Sequence, residues 1–421
     1  MKFHVFEELI EIKRNFIKML RPGDMKKHDG KSFTRTRLLT FGRLLTIILR
    51  CSPFSLQIRL DDFFREIGCR EADVSKQAFS KARTNLDPGI VKESFLLTTK
   101  TIPACEDLEY FKGKYRICAM DGSEVALDNA LLGHFGGSGK NSDCAMAMAS
   151  LCYDPLNNII LDGGLHPYGF SEREAARNHM SAVSGLPIRE GASNLYVADR
   201  GCPSRELLAE MIGSGMNFLM RVRNKFGADF DSVENEGTVK FLHNGKEYNV
   251  RVFSITLESG ENEILVTNLG AGDLTRGEAG DLYFSRWSIE VKYDSLKNKL
   301  ELENMSGRRV VTTYQDFWAK LDIANTMAAL EYATDNAIDE KTTGSGNKHE
   351  RRTNENRMIT KFADRYIELL ANDNPIERRL LYDDLISDIA RRPAEVKPGR
   401  NNDRKPPRKK KFCDRRKPSL R

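Results

Sequence analysis

Tyr115-Arg116-Ile117-Cys118-Ala119-Met120-Asp121-Gly122 is the stretch that decides how this chain folds. An apolar run of strand length, Ile117 to Met120, ends on an aspartate, and Gly122 behind it permits a sharp turn. Further strand-like runs follow at 144–153, 158–163, 195–198 and 218–222. Helical stretches lie between them. Ser171-Glu172-Arg173-Glu174 is a capping box that opens a helix through Met180, and Pro203-Ser204 starts another over 205–212. Strands followed by helices imply an α/β core.

Upstream of this core, residues 1 to 110 read as helical, with helical spacing of apolar residues at 38–49, 60–67 and 74–86. In the last of these, Val74, Ala78, Phe79, Ala82 and Leu86 fall on one arc and Lys76, Gln77, Ser80, Lys81 and Arg83 on the other. The basic arc is either a nucleic-acid contact of a small helical recognition domain or an ordinary solvated face. Downstream, residues 224–269 change period. Val239-Lys240-Phe241-Leu242-His243, Asn244-Gly245, 246–253, Ser259-Gly260 and 264–268 predict a small antiparallel insertion turning at Asn-Gly. Helices are expected over 279–305, 314–334 and 357–392. The polar segment 335–356, with Thr342-Thr343-Gly344-Ser345-Gly346-Asn347, reads as a linker.

A chain of 421 residues with 40% hydrophobic content has room for about three domains and a packed core. The longest apolar run, 44–49, is interrupted by Thr46 and is far below the roughly 20 residues of a membrane span. No membrane partner is expected, and the charges in the first residues argue against export. Eight cysteines (51, 69, 105, 118, 144, 152, 202, 413) contain no C-x-x-C pair, against a zinc site or a disulfide framework. Cys118 and Cys202 read as small buried residues. The net charge of +6 is uneven: residues 391–421 hold 14 Lys/Arg against 3 Asp/Glu, so the rest of the chain is net acidic. Such a tail, disordered beyond Pro393, either binds nucleic acid or simply solubilises.

Asp199 repeats the pattern of Asp121, closing Leu195-Tyr196-Val197-Ala198 before Arg200-Gly201. Aspartates at the carboxyl ends of neighbouring core strands can meet at the sheet edge, where α/β proteins place ligands. Singly, each is as well explained as a turn. After the insertion, Tyr283, Arg286, Glu290 and Lys297 lie within an arc of about 60° on a continuous helix. A carboxylate for a metal ion beside cations for a phosphate backbone is the mixture that metal-assisted attack on phosphate needs. The alternative is an Arg–Glu pair on a solvated face. His134, His166 and His179 fall in the same region and are assigned no role.

The spacing Y-(2)-R-(3)-E-(6)-K carried by Tyr283, Arg286, Glu290 and Lys297 resembles that of the bacterial insertion-sequence transposases of the DDE superfamily that bear a Y-R-E-K signature. Asp121-Gly122-Ser123 resembles their first acidic motif and Asp199-Arg200-Gly201 their second. The likeness runs from Gln77-Ala78-Phe79-Ser80-Lys81-Ala82-Arg83 to Lys397-Pro398-Gly399-Arg400; Cys202 departs from it, standing where an aromatic residue is usual.

The resemblance implies a ribonuclease H-like catalytic core, a mixed sheet flanked by helices with a β-rich insertion, plus helical N-terminal and C-terminal regions. The corresponding division is a DNA-binding region at 1–112, a catalytic domain at 113–334 interrupted at 224–269, a linker at 335–356, a helical region at 357–392 and a basic tail at 393–421. It implies two divalent ions, magnesium with manganese as substitute, held by Asp121, Asp199 and Glu290, with Asp121 between them. Tyr283, Arg286 and Lys297 would contact DNA near the cleavage site. The implied partners are double-stranded DNA, as inverted-repeat ends and as target, and a second copy of the chain on that DNA, in a bacterial cytoplasm at the nucleoid. The implied reaction is metal-dependent cleavage of transposon ends and strand transfer. Two alternatives remain open: a ribonuclease H-like nuclease that does not join strands, and a transposase-derived DNA-binding protein without catalysis.

Overall fold

The computed structural model describes residues 4–24, 33, 38–50, 55–102, 108–137, 144–256, 260–342 and 349–396. The tail from Lys397, the Thr343–Asn347 part of the polar segment, Ser259 and Cys51, Cys105 and Cys413 lie outside them. In chain order the helices are α1 (His4–Met19), α2 (Phe41–Leu49), α3 (Leu56–Glu66), α4 (Lys76–Arg83), α5 (Pro88–Thr101), α6 (Leu132–Phe135), α7 (Glu172–Ser184), α8 (Arg205–Gly213), α9 (Ala228–Asp231), α10 (Arg276–Ser285), α11 (Ser288–Asn298), α12 (Val310–Thr342), α13 (Glu355–Ala371) and α14 (Pro375–Ala390). The strands are β1 (Tyr115–Ala126), β2 (Met146–Asp154), β3 (Ile159–Pro167), β4 (Ser193–Ala198), β5 (Asn217–Val222), β6 (Glu236–His243), β7 (Lys246–Thr256), β8 (Asn262–Thr267), β9 (Arg351–Arg352) and β10 (Ala394–Glu395). Two compact units result, one from Met1–Ile102, Ala126–Ala145 and Leu296–Arg421, the other from Pro103–Val125 and Met146–Ser295.

The second unit is built on one mixed sheet of order β3-β2-β1-β4-β5-β8-β7-β6. β4 runs parallel to β1 and to β5, while β2 and β3 form an antiparallel pair. The order 3-2-1-4-5 with helices between the later strands is that of a ribonuclease H-like α/β core. Every residue of β2 is buried, as expected of a strand covered on both faces. Ile117, Val197, Leu219, Phe253 and Leu265, from β1, β4, β5, β7 and β8, share one core with Leu282 and Tyr283 of α10. The insertion is not a separate sheet: β8 pairs antiparallel with β5, so β6 to β8 extend the core. Its hairpin turns where expected, with His243 opposite Lys246 and positive φ at Asn244 (50°) and Gly245 (74°), the backbone of a type I′ turn.

Two local expectations are corrected here. β1 does not end at Asp121-Gly122 but runs on to Ala126, with Gly122 packed beside Met148. The stretch 279–305 is not one helix. It breaks between α10 and α11, where Arg286 N–H bonds Tyr283 C=O and Trp287 N–H bonds Phe284 C=O at 3.1 and 3.0 Å, a tightened turn that changes the helix direction.

The first unit is helical, with α1, α2, α5, α13 and α14 around α12. α12 outruns the predicted 314–334 at both ends. Ile338 is buried and Asp335 accepts hydrogen bonds from the backbone and hydroxyl of Thr353, which keeps the polar continuation helical to Thr342. Buried Asp322 on α12 accepts from Lys13 of α1 and from Ser94 and Thr98 of α5. On α4, Lys76, Gln77, Ser80 and Lys81 are exposed as the periodicity predicts, whereas Arg83 is buried. Its guanidinium donates to Gln315 at 2.9 Å and to Asp316 at 2.7 Å, so it belongs to the core and not to the basic face. Among the described residues no helix is long and apolar enough to cross a membrane.

Candidate active site

The parallel register of β1 and β4 ends with Met120 opposite Ala198. The next residue after each is an aspartate, so Asp121, inside β1, and Asp199, just past the end of β4, stand at the same level, about 4.8 Å apart in backbone. Chain direction and register alone bring these two carboxylates together.

The third comes from α11, and what gathers all three is the turn before it. Arg286, 3% exposed, points its guanidinium into the group: Nη1 lies 3.7 Å from Asp121 Oδ2, and Nη2 lies 3.8 Å from Asp199 Oδ2 and 3.6 Å from Glu290 Oε1. Asp199 and Glu290 therefore cannot be farther apart than the sum of their distances to one nitrogen. Tyr283 on α10 donates its hydroxyl to Asp199 Oδ1 at 2.8 Å, and its ring lies beneath the Arg286 guanidinium, 5.5 Å from centroid to Cζ. Lys297 sits on the last turn of α11. The sequence-derived residues Asp121, Asp199, Glu290, Tyr283 and Arg286 thus share one site, while the ion pairs and the hydrogen bond that define it do not include Lys297.

The two aspartates are held differently. Burial raises the Asp121 pKa to about 6; Arg286 and the Gly122 N–H oppose this, and the Glu290 and Asp199 charges add to it. At Asp199 burial also acts upward but is outweighed by the Arg200 N–H (2.6 Å), the Tyr283 hydroxyl, Arg286 and Arg221, which hold it below the usual carboxylate range. Burial and the Asp199 charge together push the Tyr283 hydroxyl well above its ordinary value, so it remains a donor.

Several supports carried no sequence signal. Tyr293, fully buried on α11, directs its hydroxyl between the carbonyls of Asp121 (2.9 Å) and Ala149 (3.0 Å), which fixes α11 against β1 and β2. Arg221 on β5 stands 3.9 Å from Asp199 and 2.9 Å from Glu263 of β8, linking the insertion to the second aspartate. An i,i+3 Glu290–Tyr293 spacing or an arginine in a strand is too common to single out beforehand. Cys202 is buried, its thiol pushed up to about 12 chiefly by burial, and its carbonyl accepts from Arg173. It is inert packing beside the second motif.

Among the described residues no three His, Cys, Asp or Glu side chains are grouped closely enough to hold an ion as they stand. The carboxylates are spaced around a guanidinium instead. Their chemistry is that of hard oxygen donors, which suits magnesium or manganese.

A family model described as the transposase DDE domain matches residues 112–325, half of the chain. No curated protein matches. Among solved structures, the cryo-EM structure of the piggyBac transposase synaptic complex with hairpin DNA is similar at a TM-score of 0.42 and 12% identity, covering 96% of this chain and 86% of that one. On the match that spans both aspartates and Glu290, the chain belongs to the family of transposases with a DDE domain.

Proposed function

We propose that Asp121, Asp199 and Glu290 are the metal-holding triad of this transposase, that it belongs to the Y-R-E-K signature group, and that it cuts transposon ends and joins them to target DNA. The observation that carries this is the single guanidinium of Arg286 within 4 Å of all three carboxylates. Three acids from distant segments, gathered around one cation, are an expensive arrangement unless the charge has a use.

In this proposal Asp121, Asp199 and Glu290 would together hold a pair of magnesium ions. Bound there, the ions supply Lewis acidity to the nucleophile and the leaving oxygen of an in-line displacement. The protein's part is orientation. Tyr293 and the β1–β4 register hold Asp121 and Asp199 level, Tyr283 fixes one Asp199 oxygen, and Arg286 keeps like charges together until it is released toward a DNA phosphate. Tyr283 and Lys297 complete the contact to DNA beside the cleavage site. The exposed face of α4 and the basic tail add phosphate contacts within 1–112 and 393–421, and a second copy of the chain on DNA brings two ends together, in the cytoplasm at the nucleoid.

The test uses the full chain, magnesium chloride and a plasmid carrying the gene with its flanking DNA. Strand breaks followed by joining to a second duplex are expected. Breaks without joined products would favour the non-joining nuclease, and end binding with neither would favour the silent binding protein. Glu290→Ala is expected to abolish breaks while leaving band-shift affinity for the same DNA largely intact. Cleavage that survives this substitution overturns the assignment.

A further inference from the structure

Behind Asp121 and Asp199 the sheet unit encloses a cavity of about 30 Å³ between α7 and the strands. Asp121, Asp199, Ser150 of β2 and His179 of α7 line it, and Ala175 and Ala176 leave the space. That volume admits about two waters at the ~15 Å³ each requires. His179 is 3% exposed. Its Nδ1–H donates to Asp162 Oδ2 of β3 at 2.7 Å, which leaves Nε2 as the lone-pair nitrogen, buried without a hydrogen-bond partner among the described residues. A carboxylate-backed imidazole with an unpaired ring nitrogen, lining one cavity with two acidic residues, is the arrangement of a proton acceptor.

Other titratable groups stand around the same cavity. His166 of β3 shares a hydrogen bond with Ser150 Oγ at 2.9 Å and stacks on Phe170, and burial, with His179 nearby, holds it below the usual histidine range. Glu172, in the first turn of α7, lines the same cavity and lies over Gly201, where any Cβ would meet its carboxylate; Cys202 closes the wall as a neutral thiol. Asp121, Asp199 and Glu172 thus line one cavity with His179, whose Nδ1 is held by Asp162.

We propose that His179, backed by Asp162, takes up the proton released from the attacking hydroxyl, by way of water in this cavity. The inference rests on the placement of the reacting phosphate at Asp121, Asp199 and Glu290. As the nucleophile's oxygen bonds to phosphorus and the bond to the leaving oxygen breaks, the nucleophile's proton passes to a cavity water. That water gives one of its own protons to Nε2, and the leaving oxygen takes a proton from bulk solvent. His179 then returns its proton to solvent by the same route.

The test measures nicking of the same plasmid by the full chain in magnesium chloride from about pH 6 to about pH 9. His179→Gln is expected to slow nicking about 100-fold near neutrality, with the deficit closing as pH rises and hydroxide replaces the missing acceptor. Asp162→Asn should shift the profile in the same direction, and free imidazole should raise the rate of His179→Ala. A deficit equal at every pH with no imidazole rescue, or wild-type rates in both His179→Gln and Asp162→Asn, overturns the proposal. If His179→Gln does not melt cooperatively, the Asp162→Asn profile decides. Glu290→Gln separates the two levels: nicking that survives it sinks the triad itself, whereas a dead Glu290→Gln beside an unaltered His179→Gln sinks only the proton route.

Discussion

Asp121 and Asp199 are the same residue type, in the same position after apolar strand residues, and nothing in their local sequence separates them. Their surroundings do. Burial lifts one to a pKa of about 6, while a backbone N–H, a phenol and two guanidinium groups hold the other down. For the metal-free protein this has a signed consequence. Asp121 ionises near 4 in the unfolded chain and near 6 in the fold, so between those values the native state binds more protons and stability falls as pH rises. Above about pH 6 the whole cost is present. Asp121→Asn is therefore expected to raise the stability of the metal-free protein by on the order of 2 kcal/mol at pH 8 and not at all near pH 4, read from thermal melts in EDTA. A variant that melts below the parent at pH 8 would show that the Arg286 contact outweighs the burial. The acids were legible as candidates because three of them sat at positions where strands and a helix could present them. His179 and Tyr293 were not, because a lone histidine or tyrosine on an amphipathic helix looks the same whether it faces a core or a reacting group.

At the scale of elements, local chemistry was a good guide wherever it was self-contained. The Asn244-Gly245 turn needs only positive φ at two residues, and the sequence supplies residues that adopt it cheaply. Gly245→Ala should cost about 1 kcal/mol in denaturant unfolding and leave nicking unchanged, since β6 and β7 are the far end of the sheet from the carboxylates. A loss of activity larger than the loss of stability would mean the hairpin touches the reaction. Where an element depends on its neighbours, the pattern misled. Gly122 looked like a turn residue, yet it lies inside a strand that continues to Ala126. The break at Arg286 was invisible because helix propensity continues through it; the turn is held by what Arg286 and Tyr283 reach on other strands.

At the scale of the molecule, two compact units carry different burdens: a sheet unit that assembles the acidic site and a helical unit organised on α12. Arg83 shows how the second misleads a helical wheel. It lies among basic residues on the polar arc of α4 and is spent on Asp316 and Gln315 inside the helical unit. Arg83→Ala, which strands a buried carboxylate, is expected to cost about 3–5 kcal/mol. Exposed Lys81→Ala should stay within about 0.5 kcal/mol. Denaturant melts of the two variants compare them directly, and equal midpoints would put Arg83 back on the surface.

The sequence by itself determined the alternation of strands and helices, the hairpin, and the chemical types at Asp121, Asp199, Glu290, Tyr283 and Arg286, because periodicity, turn backbone and side-chain chemistry are short-range properties. The tertiary structure alone decided that these groups meet around one guanidinium, that the insertion bonds to β5, that Arg83 is buried and that His179 and Asp121 line one cavity. Each of those depends on which surfaces lose water to one another, and desolvation is a property of segments brought together from far apart in the chain.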